Sequence, residues 1–286
     1  LVQMSWMDRP VPSRQWDNEL PPLEPGVGAD GRIASITRRG TMRVGYLPDS
    51  LPFAFRNESG RVTGFDIEMA NHLAADLGVE LELVRIDSAD ITQLFKTGQI
   101  DIVMSGVAIT PTRARIWAFG TEPMDLTLGV LVPDHRRKVF AEIEKLRAMP
   151  DLSLGLVQED SAFERRISEA LPKADIVEID SPREFLRGNR PDLDGVIYSA
   201  EGGSAWTLIY PDYSIVVPNG RRVHIPLGYP LPKGDKEWVS FVSTWVELEK
   251  KNGAIDRLFD HWIKGGGAQD KAPRWSIIRD VLGWVD

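Results

Sequence analysis

The 286-residue chain contains no cysteine. That removes disulfides, thiolate metal sites and a cysteine nucleophile together, and leaves the compartment open, because exported and cytosolic proteins alike can do without it. Histidine is scarce too. His72, His135, His224 and His261 stand apart, at no spacing that suits a metal ion, so neither a metal nor a cofactor is expected. Lys and Arg number 34 against 42 Asp and Glu, a formal charge of −8, so no basic face is offered and no nucleic-acid partner is expected. No apolar run approaches the roughly 20 residues that span a bilayer. The chain opens at Leu1 without a basic-then-apolar leader, and reads as a mature or trimmed piece of something longer.

A hydrophobic fraction of 42% and a charged fraction of 27% describe a soluble globular protein, and the length suits two lobes of ordinary domain size. Residues 1–31 lack periodicity and carry the breakers Pro10, Pro12, Pro21, Pro22, Pro25, Gly26, Gly28 and Gly31. They read as an extended arm or linker reaching to residue 40. Those three glycines spell G-x-G-x-x-G, but they follow Pro-Pro-Leu-Glu-Pro and not a strand, so the loop reading stands.

From Met42 the pattern sharpens. Met42–Leu47 reads as a strand. Asp66 sits at an N-cap position, followed by Ile67, Ala70, Leu73, Ala74 and Leu77 at helical spacing and by Gly78 as the stop. Val79, Leu81 and Leu83 alternate as a strand, Ser88 opens another helix, and Ile100–Met104 is the next strand. The plan returns after residue 150: a strand at Leu152–Val157, a capping box at Ser161 and Glu164, then strands at Ile176–Ile179, Val196–Tyr198 and Ile215–Val217 with helices between. Long helical patterns fill Lys236–Lys264. Two α/β units with mostly parallel sheets follow, and ligands in such folds lie outside the carboxyl ends of strands.

The segment Asp101–Arg113 carries the chemistry. A strand ends at Met104, small residues Ser105 and Gly106 follow, and Arg113 comes soon after. Glycine lets backbone approach a ligand, and a guanidinium matches a carboxylate in bidentate fashion. Arg113 is therefore either a ligand clamp or one more surface ion-pair partner.

Arg-Gly-Thr-Met-Arg-Val-Gly (39–45), Pro-Phe-Ala-Phe (52–55), Gly-Phe-Asp-Ile-Glu (64–68), Gly-Gln-Ile-Asp-Ile (98–102), Ile-Thr-Pro-Thr-Arg (109–113) and Pro-Leu-Pro-Lys-Gly-Asp-Lys (230–236) occur in this order. Together they resemble the polar amino-acid type (family 3) of periplasmic solute-binding protein. The resemblance implies the two-lobed type II periplasmic-binding fold, with lobe one at 41–127 plus 224–264, lobe two at 130–220 and a two-strand hinge between them. It implies a monomer outside the cytoplasm that captures a small carboxylate-bearing ligand by hinge closure and passes it to a membrane transporter. Arg113 would hold the carboxylate, with Ser105, Gly106 and Ala108 beside it and the Gly106 N–H assisting. Ser161, at a helix N-terminus, would meet the same anion, and Tyr46 and Phe53 would wall the apolar part, with Trp206 also within view of the ligand.

The chain departs from the family pattern in places. Ala108 stands where a hydroxyl is frequent, the lobe-two loop reads Gln158-Glu-Asp-Ser161, and Ser199 replaces the aspartate expected for a ligand ammonium. Glu201 is then either its substitute or a first-turn helix acid. If it is the latter, a plain organic acid becomes the ligand. Ser204 lacks a nucleophile elbow, and the expectation is a binder and not an enzyme. A cyclohexadienyl or prephenate-type dehydratase, with Glu201 or Glu159 as acid, and a receptor's sensor domain are the rivals. The Pro-rich arm and residues 265–286, with the amphipathic stripe Ile277, Ile278, Val281 and Leu282, resemble binding domains fused to dicarboxylate or amino-acid:cation symporters. An ABC permease is the other candidate transporter.

Overall fold

The computed structural model describes residues 4, 6–27, 29–157, 161–220 and 222–265, without the side chains of 161–164. The chain divides into two units. The first runs to Ile109 and takes in Arg113–Met124 and the chain from Pro226; the second holds Asp125–Ile225 with Thr110–Thr112. The chain passes between them within the strands Met124–Pro133 and His224–Gly228.

A four-stranded sheet forms the first unit, in the order Ser13–Trp16, Glu80–Arg85, Thr41–Tyr46, Ile102–Val103, parallel throughout. Thr41–Tyr46 is buried along nearly its whole length, as a parallel strand covered on both faces must be. Val84, Ile91, Leu94, Ile100 and Val103 pack together on one side of it. Helix Phe65–Leu77 closes on Gly78, whose φ of 69° turns its N–H back to the carbonyls of Ala74 and Ala75. Asp235 starts two helices at once: Oδ1 accepts from Trp238 N–H at 3.1 Å and Oδ2 from Arg32 N–H at 2.9 Å.

Two sequence expectations need correction here. The arm is not an extended linker through residue 40. Ser13–Trp16 is an edge strand in register with Leu81–Val84, and Arg32–Arg39 is a helix with Ile36 wholly buried. The strand escaped notice because its backbone makes the pairing while three of its four side chains stay exposed, so no apolar alternation marks it. Asp66 does not cap its helix. Gly64 does, at a φ of 130°, where a Cβ would lie 2.4 Å from the Phe53 carbonyl oxygen. The chain crosses Phe53 too closely there for any side chain, and this frees Asp66 for another partner.

The second unit is built on parallel strands Asp175–Ile179, Ser153–Val157 and Gly195–Ser199, next to which Met124–Pro133 runs antiparallel and pairs in turn with Tyr213–Val216. Val132, Phe140, Leu146, Leu154 and Ile197 fill its core. Helix Pro182–Leu186 begins with a complete capping box of Ser181 and Glu184. The box expected at Ser161 and Glu164, the Gln158–Asp160 loop and the tail at 273–285 lie outside the described residues or side chains.

Candidate functional site

The parallel strands of the first unit end together. Trp16 lies opposite Val84, Tyr46 opposite Arg85, and Gly45 opposite Val103. The residues that leave these strands, Asp17, Leu47 and Ser105–Gly106, therefore collect at the carboxyl edge of the sheet, where α/β folds bind ligands.

Ser105 joins two of these departures. Its Oγ accepts from the Leu47 N–H at 2.9 Å and donates to the Leu47 carbonyl at 3.2 Å. That hydroxyl is thus a clasp between loops. Gly106 has a φ of 64°, and a Cβ on it would sit 2.6 Å from Phe53 Cδ2, so only glycine lets the loop lie against that ring. The Gly106 N–H donates to Asp66 Oδ2 at 2.6 Å. The amide expected to face a ligand is committed inward in this structure.

Strand geometry supplies another amide. Leu227 pairs with Ala108 and Gly228 with Val107, and Ile109 N–H donates to the Pro226 carbonyl at 2.7 Å. Backbone groups alternate sides along a strand, so the Ala108 N–H and carbonyl point away from this ladder. Arg113 lies on that side: its Nη1 donates to the Ala108 carbonyl at 3.0 Å. Arg113 belongs to the short helix Pro111–Ile116 and is half-buried. Ala108, a departure at the side-chain level, thus offers its backbone next to the guanidinium.

Tyr46 and Phe53 are both buried, at 2% and 4% exposure. Phe53 packs edge-on against Phe65 with centroids 6.3 Å apart. The Tyr46 hydroxyl donates to Asp17 Oδ1 at 3.1 Å. Burial first, then the charge of Asp17, pushes the phenol up to about 12, against the opposing effect of Arg56.

In the second unit, Ser199 caps the helix Ala200–Ile209, its Oγ accepting from Gly202 N–H at 3.0 Å. Glu201 is 1% exposed, and both its carboxylate oxygens accept from Thr127 N–H, at 3.2 and 3.0 Å. Burial pushes this carboxyl up to about 7, against the hydrogen bond from Thr127. A first-turn acid has become a brace between its helix and the strand Met124–Pro133. Trp206 is fully buried, with the Arg183 guanidinium 4.9 Å from its ring centroid, and packs in the core. Ser161 opens the helix Ser161–Ala170; its hydroxyl is not among the described side chains.

Sequence reading missed Asp66 and Tyr229. Tyr229 donates its hydroxyl to Asp66 Oδ1 at 3.1 Å, so a fully buried carboxylate holds the Gly106 loop through one oxygen and Tyr229 through the other, and burial still pushes Asp66 up to about 7. The partners are 40 and 163 residues away in sequence, and local periodicity carries no trace of them. A cleft of about 530 Å³ runs between the arm and the body, past Val11, Gln15, Arg61 and Asn71. Gln15 and Asn71 spend their side-chain oxygens on the Val62 and Val11 N–H groups, so the cleft is a seam under the arm. Among the described residues no cluster of acidic or histidine side chains could hold a metal, and no helix is long and apolar enough to cross a membrane.

The profile of the bacterial extracellular solute-binding proteins, family 3, matches residues 42–265. The L-cystine-binding protein TcyJ of Escherichia coli is 33% identical over 238 residues, 82% of this chain and 86% of the relative. The cyclohexadienyl dehydratase of Pseudomonas aeruginosa is 26% identical over 238 residues, 82% of this chain and 87% of that one. The crystal structure of an ancestral amino acid-binding protein, a precursor of cyclohexadienyl dehydratase, superposes with a TM-score of 0.70 at 32% identity, covering 81% of this chain and 99% of that one.

Proposed function

The chain belongs to the family 3 bacterial extracellular solute-binding proteins, and from that premise we propose that it captures a small carboxylate-bearing solute, an amino acid or organic acid, outside the cytoplasm and delivers it to a membrane transporter. The observation that carries the reading is the pairing of Arg113 with Ala108: a half-buried guanidinium and a backbone N–H on the unpaired side of the strand Val107–Ala108. A planar fork beside an amide donor suits a carboxylate. The cystine-binding and amino acid-binding relatives favour an amino acid. The commitments of Ser199 to a helix cap and of Glu201 to Thr127 favour an anion without an ammonium group.

Thermal unfolding against a panel of amino acids and mono- and dicarboxylates tests the reading. A ligand at 100 times its dissociation constant adds roughly 2.7 kcal/mol, a shift of several degrees. No shift with any compound overturns it.

A second reading has its own observation. Glu201, pushed up to about 7, is a buried acid able to hold a proton near neutrality, as protonation of a leaving hydroxyl requires, and one relative is a dehydratase. Incubation with prephenate, followed by absorbance of the aromatised product, tests it. Turnover lost in Glu201→Gln establishes the enzyme, and no turnover in a chain that binds the panel removes it.

A further inference from the structure

The arm ends its strand at Trp16, and the parallel register with Leu81–Val84 sets the next residue, Asp17, at the carboxyl edge of the first unit's sheet. There Asp17 Oδ1 accepts from Tyr46 Oη at 3.1 Å and from Arg56 Nη2. Arg56 is itself tied back, donating through Nη1 to the Gly60 carbonyl at 2.5 Å. Tyr46 closes the strand Thr41–Tyr46, and the backbone of its neighbour Leu47 is clasped by Ser105. The tyrosine is thus fixed near its backbone by the ligand loop and at its tip by the arm.

We propose that Asp17 is a positioning residue of the ligand site, holding Tyr46 in place from a segment that precedes the span matched by the family. The inference rests on the capture reading, in which Tyr46 walls the ligand. Magnitudes argue for a role beyond stability. The side chains of Asp17 and Arg56 are 34% and 42% exposed, and ion pairs that wet contribute little to folding. The Tyr46 ring, in contrast, is shut in at 2% exposure, so a change at its tip moves the wall and not merely the surface.

The test uses the full chain and isothermal titration with L-arginine, L-lysine, L-glutamine, L-cystine and succinate. Asp17→Ala is expected to weaken the tightest of these about tenfold. Asp17→Asn, which keeps an oxygen to accept the phenol proton, is expected to stay within about threefold of wild type. In a double-mutant cycle, Asp17→Ala added to Tyr46→Phe is expected to cost nothing further, because one contact is removed twice. Binding by Asp17→Ala equal to wild type overturns the inference, and so do losses from the two single variants that simply multiply. A wild-type chain that binds no member of the panel overturns the capture reading and this inference with it, whereas wild-type binding left unchanged in Asp17→Ala overturns the inference alone.

Discussion

Asp66 and Gly106 are joined by a 2.6 Å hydrogen bond in which the glycine N–H donates to the carboxylate. Asp66→Ala strands that N–H and, on the other oxygen, the Tyr229 hydroxyl. Each buried group left without a partner costs about 1–3 kcal/mol. The urea midpoint is expected to fall accordingly, with ligand affinity falling alongside because the loop before Arg113 loses its support. Full stability in this variant contradicts the account.

Buried carboxyls raised in the folded chain, Asp101 among them, set the pH dependence. Burial raises Asp66 to about 7, Glu68 to about 8 and Glu201 to about 7. Raised values mean that the folded chain keeps protons which the unfolded chain gives up, so this stability is full below about pH 4 and is lost as pH climbs through 7 to 8. Asp76, held down by Arg9 and Trp245 against its burial, and Asp134, held down by Ser214, act oppositely and lose their contribution in acid. The melting temperature is expected to peak near about pH 4–5 and to fall from there to about pH 8. A flat or rising profile across that interval contradicts the assignment.

Arg113→Ala is expected to leave the fold intact and weaken ligand binding by about 2–5 kcal/mol, since an anion then has no partner. Arg113→Lys should recover only part of this, because an ammonium lacks the fork. Calorimetric titration of both variants gives the comparison, and unchanged affinity in Arg113→Ala removes the residue from the site.

Gly106→Ala adds a methyl group 2.6 Å from Phe53 Cδ2 at a backbone φ of 64°. Left-handed backbone costs a non-glycine residue roughly 1–2 kcal/mol, and the clash adds to it. Unfolding should show a loss of at least that size, which Phe53→Leu relieves in part.

Glu201 separates three roles. Glu201→Gln keeps an oxygen for Thr127 N–H and removes the charge. As a brace, it predicts near wild-type stability and ligand affinity for Glu201→Gln but destabilisation by about 1–3 kcal/mol for Glu201→Ala. An ammonium acceptor would lose binding in both variants, and a catalytic acid would lose turnover in both.

The strand–helix–strand plan was legible wherever burial repeats locally. Ile67, Ala70, Leu73 and Ala74 all lie in the core as their spacing demands, and Gly78 ends the helix in left-handed conformation. Legibility stopped where a side chain serves a distant backbone group. Asp66 looked like a cap, yet its partners are Gly106 and Tyr229, and Ser105, expected beside the ligand carboxylate, has its hydroxyl clasping Leu47. Glu201 likewise meets the Thr127 N–H, 74 residues away in sequence, whereas Ser199 caps its own helix through the Gly202 N–H. Ala108 shows the converse. Its side chain signals nothing, and only the pairing with Leu227 reveals which way its backbone faces.

The strand Ser13–Trp16 has one more consequence. It occupies the outer rim of Glu80–Arg85, which would otherwise present a bare row of amide and carbonyl groups, a template for pairing between molecules. The first segment of the chain thus takes up that pairing, and the four-residue Ser13–Trp16 becomes the edge in its place. A protein shortened to residues 42–265, the span matched by its family, would keep Arg113 and Ala108 but leave the longer strand Glu80–Arg85 as the bare edge.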